Sequence, residues 1–397
     1  MGAHGGPNMV EDGMVFGYDT GNSKSYAGEP TTNLHPNPED VSSWTGDLFG
    51  NWTRSTVTSN VSIAPDGTLT ADRIGDGYGR FNSSITAIPG QTYVYTVYLK
   101  NVSLTNNFGI AVAWGLNGSL VSYNGSATTV QISQISNTEW TRVTATEVAP
   151  SSGINQVQFG PCPFTGYGNP SGQTIDVWGG MIEQKSHATP YTTGTRSATE
   201  GLIDFKDSTT LDLSNVSFDS DAQPRFDGAD DYISLADGTK WFTNEWAYEL
   251  VVKFTGSSSN WQGLVWGEGA TQAGYSGLQK LFLYRNTEFQ HRVYNTVSGW
   301  GSIVYAPTNF DPTQYNHLVW QWNNGTTNIA INGEIVHTHT GRGAYNGGTD
   351  SPLFIGARND LAYDLNGEIP YLKRYSRVLT AEEVQNNFNG IRNRFGI

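Results

Sequence analysis

The sequence predicts an all-β protein of two β-sandwich or jelly-roll domains, with one short helix at the C-terminal end. The chain of 397 residues contains 12% aromatic residues, only 15% charged residues and 47 glycines, a mixture typical of short strands joined by tight turns. Apolar and polar residues alternate with a period of two along most of the chain, whereas a helical period occurs only near its end. The length agrees with two or three domains.

The first strand-rich region extends from residue 44 to about residue 191. Residues 91–102 and 140–149 each alternate as one strand, and residues 154–164 and 174–184 follow as two more. Strands at this spacing, with no helical pattern between them, are typical of a sandwich or jelly roll.

The second strand-rich region begins near residue 201 and continues to the end of the chain. An Asn332-Gly333 pair between two alternating segments predicts a β-hairpin turn. The predicted strands of this region are residues 247–254, 317–324, 327–336, 352–358 and 366–377.

One helix is predicted after the last strand. Thr380 is its expected N-cap, and Glu383 completes a capping box three residues later. Val384, Phe388 and Ile391 recur at helical spacing and form a narrow apolar stripe. We therefore expect the helix to lie with this stripe on a sheet.

Two segments of the second region resemble motifs of laminin-G-like, concanavalin A-like sandwiches. FDGADDYISL (226–235) is similar to an internal strand of that family, and NGEIPYLKRYSRVLTAEEV (366–384) is similar to its closing strand and helix. Pro370 departs from the family pattern and predicts an edge or a bulge at that point of the strand, because proline cannot donate a ladder hydrogen bond. The matching residues of the closing motif are Gly367, Ile369, Tyr375, Arg377, Leu379, Thr380 and Glu383.

Residues 13–34 resemble the opening strand and first loop of the same family, but the segment that normally follows them begins only at residue 225. The resemblance therefore implies that a jelly-roll domain interrupts the laminin-G-like sandwich. We expect strands near residues 14–19 and 369–375 to pair. The expected divisions are an N-terminal docking arm of residues 1–12, a discontinuous laminin-G-like domain of residues 13–31 plus 198–397, and an inserted carbohydrate-binding-like jelly roll of residues 32–197.

The segment 176–201 resembles the end of carbohydrate-binding jelly rolls in phage virion proteins, with matches that include Trp178, Glu183 and Tyr191. The flanking segments also resemble split laminin-G-like sequences of tailed-phage structural proteins. The resemblance implies a structural surface protein of a bacteriophage virion, either a capsid decoration protein or a tail fibre component, that displays glycan-binding domains toward the host. Its expected partners are other capsid or tail proteins, further copies of itself in a homo-oligomer such as a trimer, and host cell-surface glycans.

The composition and charge argue against several classes of binding partner and against an intrachain disulfide. A net charge of −14 disfavours binding to nucleic acid and to anionic membranes, and no apolar run reaches the length of a membrane span. Cys162 is the only cysteine, which excludes an intrachain disulfide. The first residues show no signal-peptide pattern, so we expect assembly in the host cytoplasm and a final location on the virion surface.

Two alternatives remain beside the structural role: a tail fibre adhesin that binds host polysaccharide, and a depolymerase. A retaining glycosidase needs two carboxylates about 5 to 5.5 Å apart. Glu245 and Glu249 share one face of a predicted strand and come nearest to this requirement. Solvent-facing strand positions are the favoured explanation of both residues, and we predict a protein that is not an enzyme and has no catalytic residues.

The binding residues can be proposed from their types and contexts. Aromatic faces stack on sugar rings, and loop tryptophans in polar, glycine-rich contexts are the candidate glycan contacts. These are Trp44, Trp52, Trp114, Trp261 and Trp300.

Asp227, Asp230 and Asp231 form the densest acidic cluster, and calcium prefers carboxylate oxygens. We expect calcium as a cofactor at this cluster.

Overall fold

The chain divides into two compact units in a computed structural model. One unit, the interrupted unit, consists of Met1–Pro30 with Ser197–Ile397, and the other, the inserted unit, is Thr31–Arg196. These divisions differ by one residue from those expected from the sequence. The structure describes residues 9–44, 55–75, 79–105, 107–162, 173–235, 243–255, 260–269, 278–286, 288–293, 302–308, 310–341, 350–357 and 363–397.

The secondary structure is mostly β, as the sequence predicts. Strands up to the end of the inserted unit are β1 Met14–Asp19, β2 Thr31–Thr32, β3 Thr56–Ser62, β4 Ala71–Gly75, β5 Ile85–Thr86, β6 Thr92–Asn101, β7 Phe108–Leu116, β8 Ser119–Val130, β9 Thr141–Val148, β10 Gln156–Cys162, β11 Thr174–Glu183 and β12 Thr195–Arg196. The remaining elements are β13 Leu211–Ser214, β14 Ser217–Phe218, β15 Pro224–Asp227, β16 Tyr232–Leu235, β17 Glu245–Phe254, β18 Gln262–Gly269, β19 Leu278–Arg285, β20 Glu288–Val293, β21 Ser302–Tyr305, β22 Asn316–Asn323, β23 Thr326–Ile331, β24 Glu334–His339, β25 Asp350–Ile355, β26 Asn366–Tyr375 and the helix α1 Ala381–Phe395.

The inserted unit is built from two antiparallel sheets, with strand orders β5-β10-β7-β8 and β3-β4-β11-β6-β9. Alternate side chains from both sheets meet in one apolar core that includes Tyr95, Val112, Phe159 and Val177. The short strands β2 and β12 pair with each other where the chain enters and leaves the unit.

The interrupted unit is a sandwich of two larger sheets. One has the order β14-β15-β26-β17-β22-β23-β24 with β1 paired to β26, and the other has the order β13-β16-β25-β18-β19-β20-β21. Its core contains Trp246, Trp320 and Trp322, all fully buried, packed with apolar residues of the second sheet such as Leu264 and Phe282. Trp178, in the inserted unit, is also buried.

The first and last strands of the chain pair, which confirms the expectation from the sequence. β1 is antiparallel to β26, with Asp19 opposite Tyr371 and Met14 opposite Tyr375. β15 pairs with the preceding part of β26. The segments before and after the insertion thus lie along one edge of the same strand and complete one sheet.

Pro370 lies at a bulge in β26. The register with β17 shifts between Val251 opposite Tyr371 and Lys253 opposite Glu368. The carbonyl of Pro370 still accepts a hydrogen bond from the Thr20 N–H at 3.0 Å. β26 has partners on both sides, so an edge position is wrong and the bulge alternative is confirmed.

The helix α1 begins as predicted. Thr380 accepts a hydrogen bond from the Glu383 N–H, and the Glu383 side chain accepts one from the Thr380 N–H. Val384, Phe388 and Ile391 are buried, which confirms the apolar stripe. Among the described residues, no helix is long and apolar enough to cross a membrane.

The described end of the predicted docking arm packs on its own unit. The Val10 N–H donates to Asn387 of α1 at 2.8 Å, and Asp12 forms an ion pair with Arg377 at 3.0 Å. Residues 1–8 lie outside the described part of the chain. A docking role for residues 1–12 therefore stays a prediction.

Candidate functional site

The predicted calcium residues meet in the turn between β15 and β16. Oxygen atoms of Asp227, Asp230 and Asp231 lie within 4.8 Å of one another. Asp227 and Asp230 are exposed, and Asp231 is buried. The Asp231 carboxylate accepts a hydrogen bond from the Asp227 N–H at 2.6 Å, and Asn215 donates to Asp230 at 3.0 Å.

Electrostatics at this turn favour a bound cation. Burial raises the pKa of Asp231 to about 6, and the charges of Asp227 and Asp230 act in the same direction, whereas the hydrogen bond from the Asp227 N–H opposes them. Three carboxylates at this separation supply the hard oxygen ligands that calcium prefers. The residues thus fit the metal chemically, and calcium binding stays a prediction.

A pocket of about 460 Å³ lies beside this turn. Such a volume is within the range of about 300–1,000 Å³ that small-ligand pockets occupy. Its walls include charged side chains from three adjacent strands, Arg225 of β15, Glu368 of β26 and Lys253 of β17. Hydroxyl and amide side chains complete a polar lining, among them Ser217, Thr313 and Asn366.

The two cationic groups of this pocket pair only weakly with Glu368, although Arg225 also donates to Asp219 at 3.2 Å. One oxygen of Glu368 lies 3.9 Å from Arg225 Nε and 3.9 Å from Lys253 Nζ. Glu368 also accepts a hydrogen bond from the Tyr315 hydroxyl. The two cationic side chains are 56% and 36% exposed, and exposed ion pairs contribute little to stability. They remain available to hydrogen-bond a ligand.

Two of the five candidate tryptophans are in the core, so their predicted role as exposed sugar contacts is wrong. Trp44 is only 1% exposed, and its indole N–H donates to the Asn37 carbonyl at 2.6 Å. Trp114 is 4% exposed and packs edge-on against Phe159 in the core of the inserted unit. Neighbouring elements cover both rings and leave no face for a sugar.

Trp261 precedes β18 and remains half-buried. The guanidinium of Arg285 lies 4.3 Å from the centroid of its ring, a cation–π contact that occupies one face. Its role in glycan binding stays a prediction. Trp52 and Trp300 lie outside the described residues.

The two glutamates considered for a depolymerase lie in different environments. Glu245 is exposed at the start of β17, whereas Glu249 is fully buried beneath α1. Glu249 accepts hydrogen bonds from His317 at 2.8 Å, Tyr375 at 2.8 Å and Asn387 at 3.0 Å. A glycosidic bond cannot reach a carboxylate enclosed in this way, so this pair does not form a glycosidase site.

The hydrogen bonds also determine the ionisation of Glu249. Burial by itself raises the pKa of its carboxyl group, but the hydrogen bond and charge of His317, with the charge of Lys373, outweigh burial and lower the pKa below its usual range. Glu249 is therefore a structural anion that joins β17, β22, β26 and α1.

The pocket around Glu368 was not predicted from the sequence. Arg225 and Lys253 belong to strands far apart in the chain, and only the registers of β15 and β17 with β26 place them on either side of Glu368. The sequence contains only a weak signal for this pocket. Arg225 directly precedes the FDG motif, and Glu368 lies within the closing motif.

Comparisons with known proteins identify the fold of the interrupted unit. Residues 227–385 match the family model Laminin_G_3, described as the concanavalin A-like lectin/glucanases superfamily. No curated protein sequence matches the chain.

Solved structures similar to the chain include receptor-binding domains of botulinum neurotoxins. The type D domain has a TM-score of 0.40 and 12% identity over 49% of this chain and 51% of that chain. The type G domain has a TM-score of 0.37 and 14% identity over 48% of this chain and 49% of that chain. This chain thus spans about half the length of the solved structures it matches. The family match and the two-sheet architecture together establish a concanavalin A-like fold for the interrupted unit.

Proposed function

We propose that the chain is a surface protein of a bacteriophage virion that binds host glycans through its concanavalin A-like unit. The observation that supports glycan binding most directly is the match of residues 227–385 to a lectin and glucanase superfamily. The pocket around Lys253 and Glu368 lies in this unit and offers both hydrogen-bond donors and acceptors to sugar hydroxyls. The acidic turn at Asp231 adjoins it.

The virion role is supported by the resemblance of segments 19–34, 176–201 and 201–220 to phage structural proteins. Many copies on one particle make a weak site effective. A millimolar site supplies roughly 4 kcal/mol, and multivalent display raises the overall affinity by about 10² to 10⁴. The proposed assembly is a homo-oligomer, with a trimer as the expected state, attached to capsid or tail proteins.

A glycan array tests the binding function. We expect the purified protein to bind a subset of bacterial surface glycans, and Lys253→Met and Arg225→Gln to reduce this binding at least about tenfold. Lys100→Met in the inserted unit is the matched control, and we expect it to bind like the wild type. An array without hits, or binding that both pocket variants leave unchanged, would contradict glycan recognition by this pocket.

Electron microscopy of phage particles tests the virion role. Antibodies against the chain, carrying gold, are expected to label regular positions on the particle. Label on the capsid favours a decoration protein, and label on the tail favours a fibre adhesin. Intact particles without label would refute the virion assignment.

A further inference from the structure

A second pocket of the interrupted unit, about 360 Å³ in volume, lies against β1 and β26. Its walls include Lys373 and Tyr371 of β26, Asp19 of β1, and Lys206 from the segment before β13. It shares no lining residue with the pocket around Glu368. None of the candidate residues derived from the sequence lies in it.

Lys373 is the unusual residue of this second pocket. It is only 6% exposed, although lysine is almost never fully buried without a partner. Its ammonium group lies 5.5 Å from the centroid of the Tyr371 ring. No described residue accepts a hydrogen bond from it or forms an ion pair with it within 4 Å. Its N–H donors thus face the pocket, with no acceptor among the described residues.

The backbone beside Lys373 makes room for its side chain. Gly17 of β1 lies directly opposite Lys373. A Cβ atom at Gly17 would lie 2.9 Å from the Lys373 Cγ atom, closer than packed carbon atoms tolerate. The glycine thus allows the lysine stem to lie against β1.

Nearby carboxylates do not neutralise Lys373 directly, because other donors engage them. Glu249 lies opposite Lys373 in the sheet but accepts its hydrogen bonds from His317, Tyr375 and Asn387. Asp19 accepts from Arg394 and from the Gly21 N–H. Burial lowers the pKa of Lys373, although the charges of Glu249, Glu11 and Asp19 oppose this shift.

The rest of the pocket indicates the kind of ligand. Lys24 and Lys206 are exposed and add two ammonium groups, while Glu11 and Asp19 add two carboxylates. A ligand with one negative charge would satisfy Lys373, and its hydroxyl groups could donate to the carboxylates. The three ammonium groups and two carboxylates together carry a net charge of +1, which a ligand with one negative charge balances.

We propose that this pocket binds a sugar that carries a carboxylate, with the carboxylate paired to Lys373. This inference rests on the proposed glycan-binding function and adds a second subsite and a ligand class. Lys206 contributes long-range attraction from the rim, and the apolar side chains of Met14 and Phe205 contact the C–H faces of the ring. An ion pair formed in this enclosed site is stronger than one in water.

Calorimetric titration of the whole protein with D-glucuronate tests the proposal, with D-glucose as the neutral matched sugar and inorganic phosphate as the alternative anion. We expect glucuronate to bind and glucose and phosphate to bind at least about tenfold more weakly. Lys373→Met should reduce glucuronate binding at least about tenfold, and Lys206→Ala by a smaller factor. Lys100→Met is the control that should leave binding unchanged.

Thermal unfolding of each variant separates loss of the site from loss of the fold. Since the charge of Lys373 also stabilises the buried Glu249 carboxylate, we expect Lys373→Met to melt somewhat below the wild-type temperature while still unfolding cooperatively. If Lys373→Met unfolds, Lys373→Gln serves instead, because it keeps a polar end in the pocket but removes the charge and should weaken glucuronate binding. Undetectable glucuronate binding, equal binding of phosphate, or full binding by folded Lys373→Met would overturn the inference. Glycan-array binding that persists with any of these results leaves the proposed function intact, whereas an array without hits counts against that function itself.

Discussion

Glu249 shows how one buried side chain can stabilise several elements at once. Its carboxylate accepts hydrogen bonds from residues of β22, β26 and α1. A buried anion is tolerated only when its oxygen atoms are fully hydrogen-bonded, so removal of the charge leaves several donors poorly matched.

We predict that Glu249→Gln lowers the free energy of unfolding by about 2–4 kcal/mol. Denaturant unfolding monitored by tryptophan fluorescence measures this change. Glu245→Gln, at the exposed start of the same strand, is the matched control and should change stability by less than about 0.5 kcal/mol. Equal effects of the two substitutions would show that the Glu249 cluster contributes no special stability.

The raised pKa of Asp231 makes the stability of the folded protein depend on pH. Its pKa in the folded protein is about 6, above the ordinary value of 3.8. The folded state therefore binds the proton more tightly than the unfolded state, and the resulting stabilisation is present below about pH 3.8 and lost as the pH rises through 6. Asp231→Asn keeps an acceptor for the Asp227 N–H and removes the charge.

We predict that Asp231→Asn flattens the dependence of melting temperature on pH between about 4 and 6. We also predict that calcium raises the wild-type melting temperature at pH 7.5 and has no such effect on Asp231→Asn. Differential scanning calorimetry with calcium or with chelator measures both. Asp212→Asn, at the exposed position of β13, is the control substitution. If Asp231→Asn still responds to calcium in the same way, calcium does not bind at this turn.

The tryptophans show that the neighbouring residues in the sequence do not determine whether a side chain is exposed. Trp44 and Trp114 occur in polar, glycine-rich sequence, yet both rings are buried because other elements cover them. Composition near a residue describes its neighbours in the chain, whereas exposure depends on residues brought close by strand pairing. Trp178, Trp320 and Trp322 lie in strands that the sequence predicts, and they are buried together with nearly all the residues of β11 and β22.

At the scale of elements, α1 has the clearest sequence signals. Its capping box and apolar stripe follow from residues three and four positions apart, and local rules of this kind need no knowledge of the fold. The turn at Asn332-Gly333 is equally local, and both residues adopt the positive φ angles that such a hairpin turn requires. The register of β15 and β17 on β26 is a long-range property and was not predictable.

We predict that Thr380→Ala lowers the free energy of unfolding by about 1 kcal/mol, because the Glu383 N–H loses its acceptor at the start of α1. Hydrogen exchange should increase first in the first turn of the helix. Thr340→Ala, at an exposed position after β24, is the control and should leave stability nearly unchanged. Unchanged exchange in α1 would mean that packing, and not the cap, fixes the helix start.

At the scale of the whole molecule, the two chain segments that flank the insertion point are hydrogen-bonded to each other within each unit. The Ala27 N–H donates to the Gly201 carbonyl at 3.0 Å in the interrupted unit, and Thr32 pairs with Thr195 in the inserted unit. Each unit also has its own apolar core. The sequence revealed this arrangement because the family motifs on either side of the insertion are specific.

We predict that joining Pro30 to Ser197 through a short glycine–serine linker gives an interrupted unit that folds and unfolds cooperatively. Residues 31–196 should fold separately, because their two ends already pair. Circular dichroism melting and amide NMR spectra test both products. Residues 197–397 without β1 are the control and should be much less stable, because residues 371–375 of β26 then lack a strand partner on one side. A cooperative transition in this control would show that the pairing of β1 with β26 is dispensable.

The proposed function depends on where a glycan binds. The most direct measurement is a crystal structure of the whole protein with the glycan that binds best on the array. We predict that the sugar occupies the pocket between β15, β26 and β17, within hydrogen-bond distance of Arg225 or Lys253. A sugar bound only on the inserted unit, or on a surface away from both pockets of the interrupted unit, would contradict the assignment.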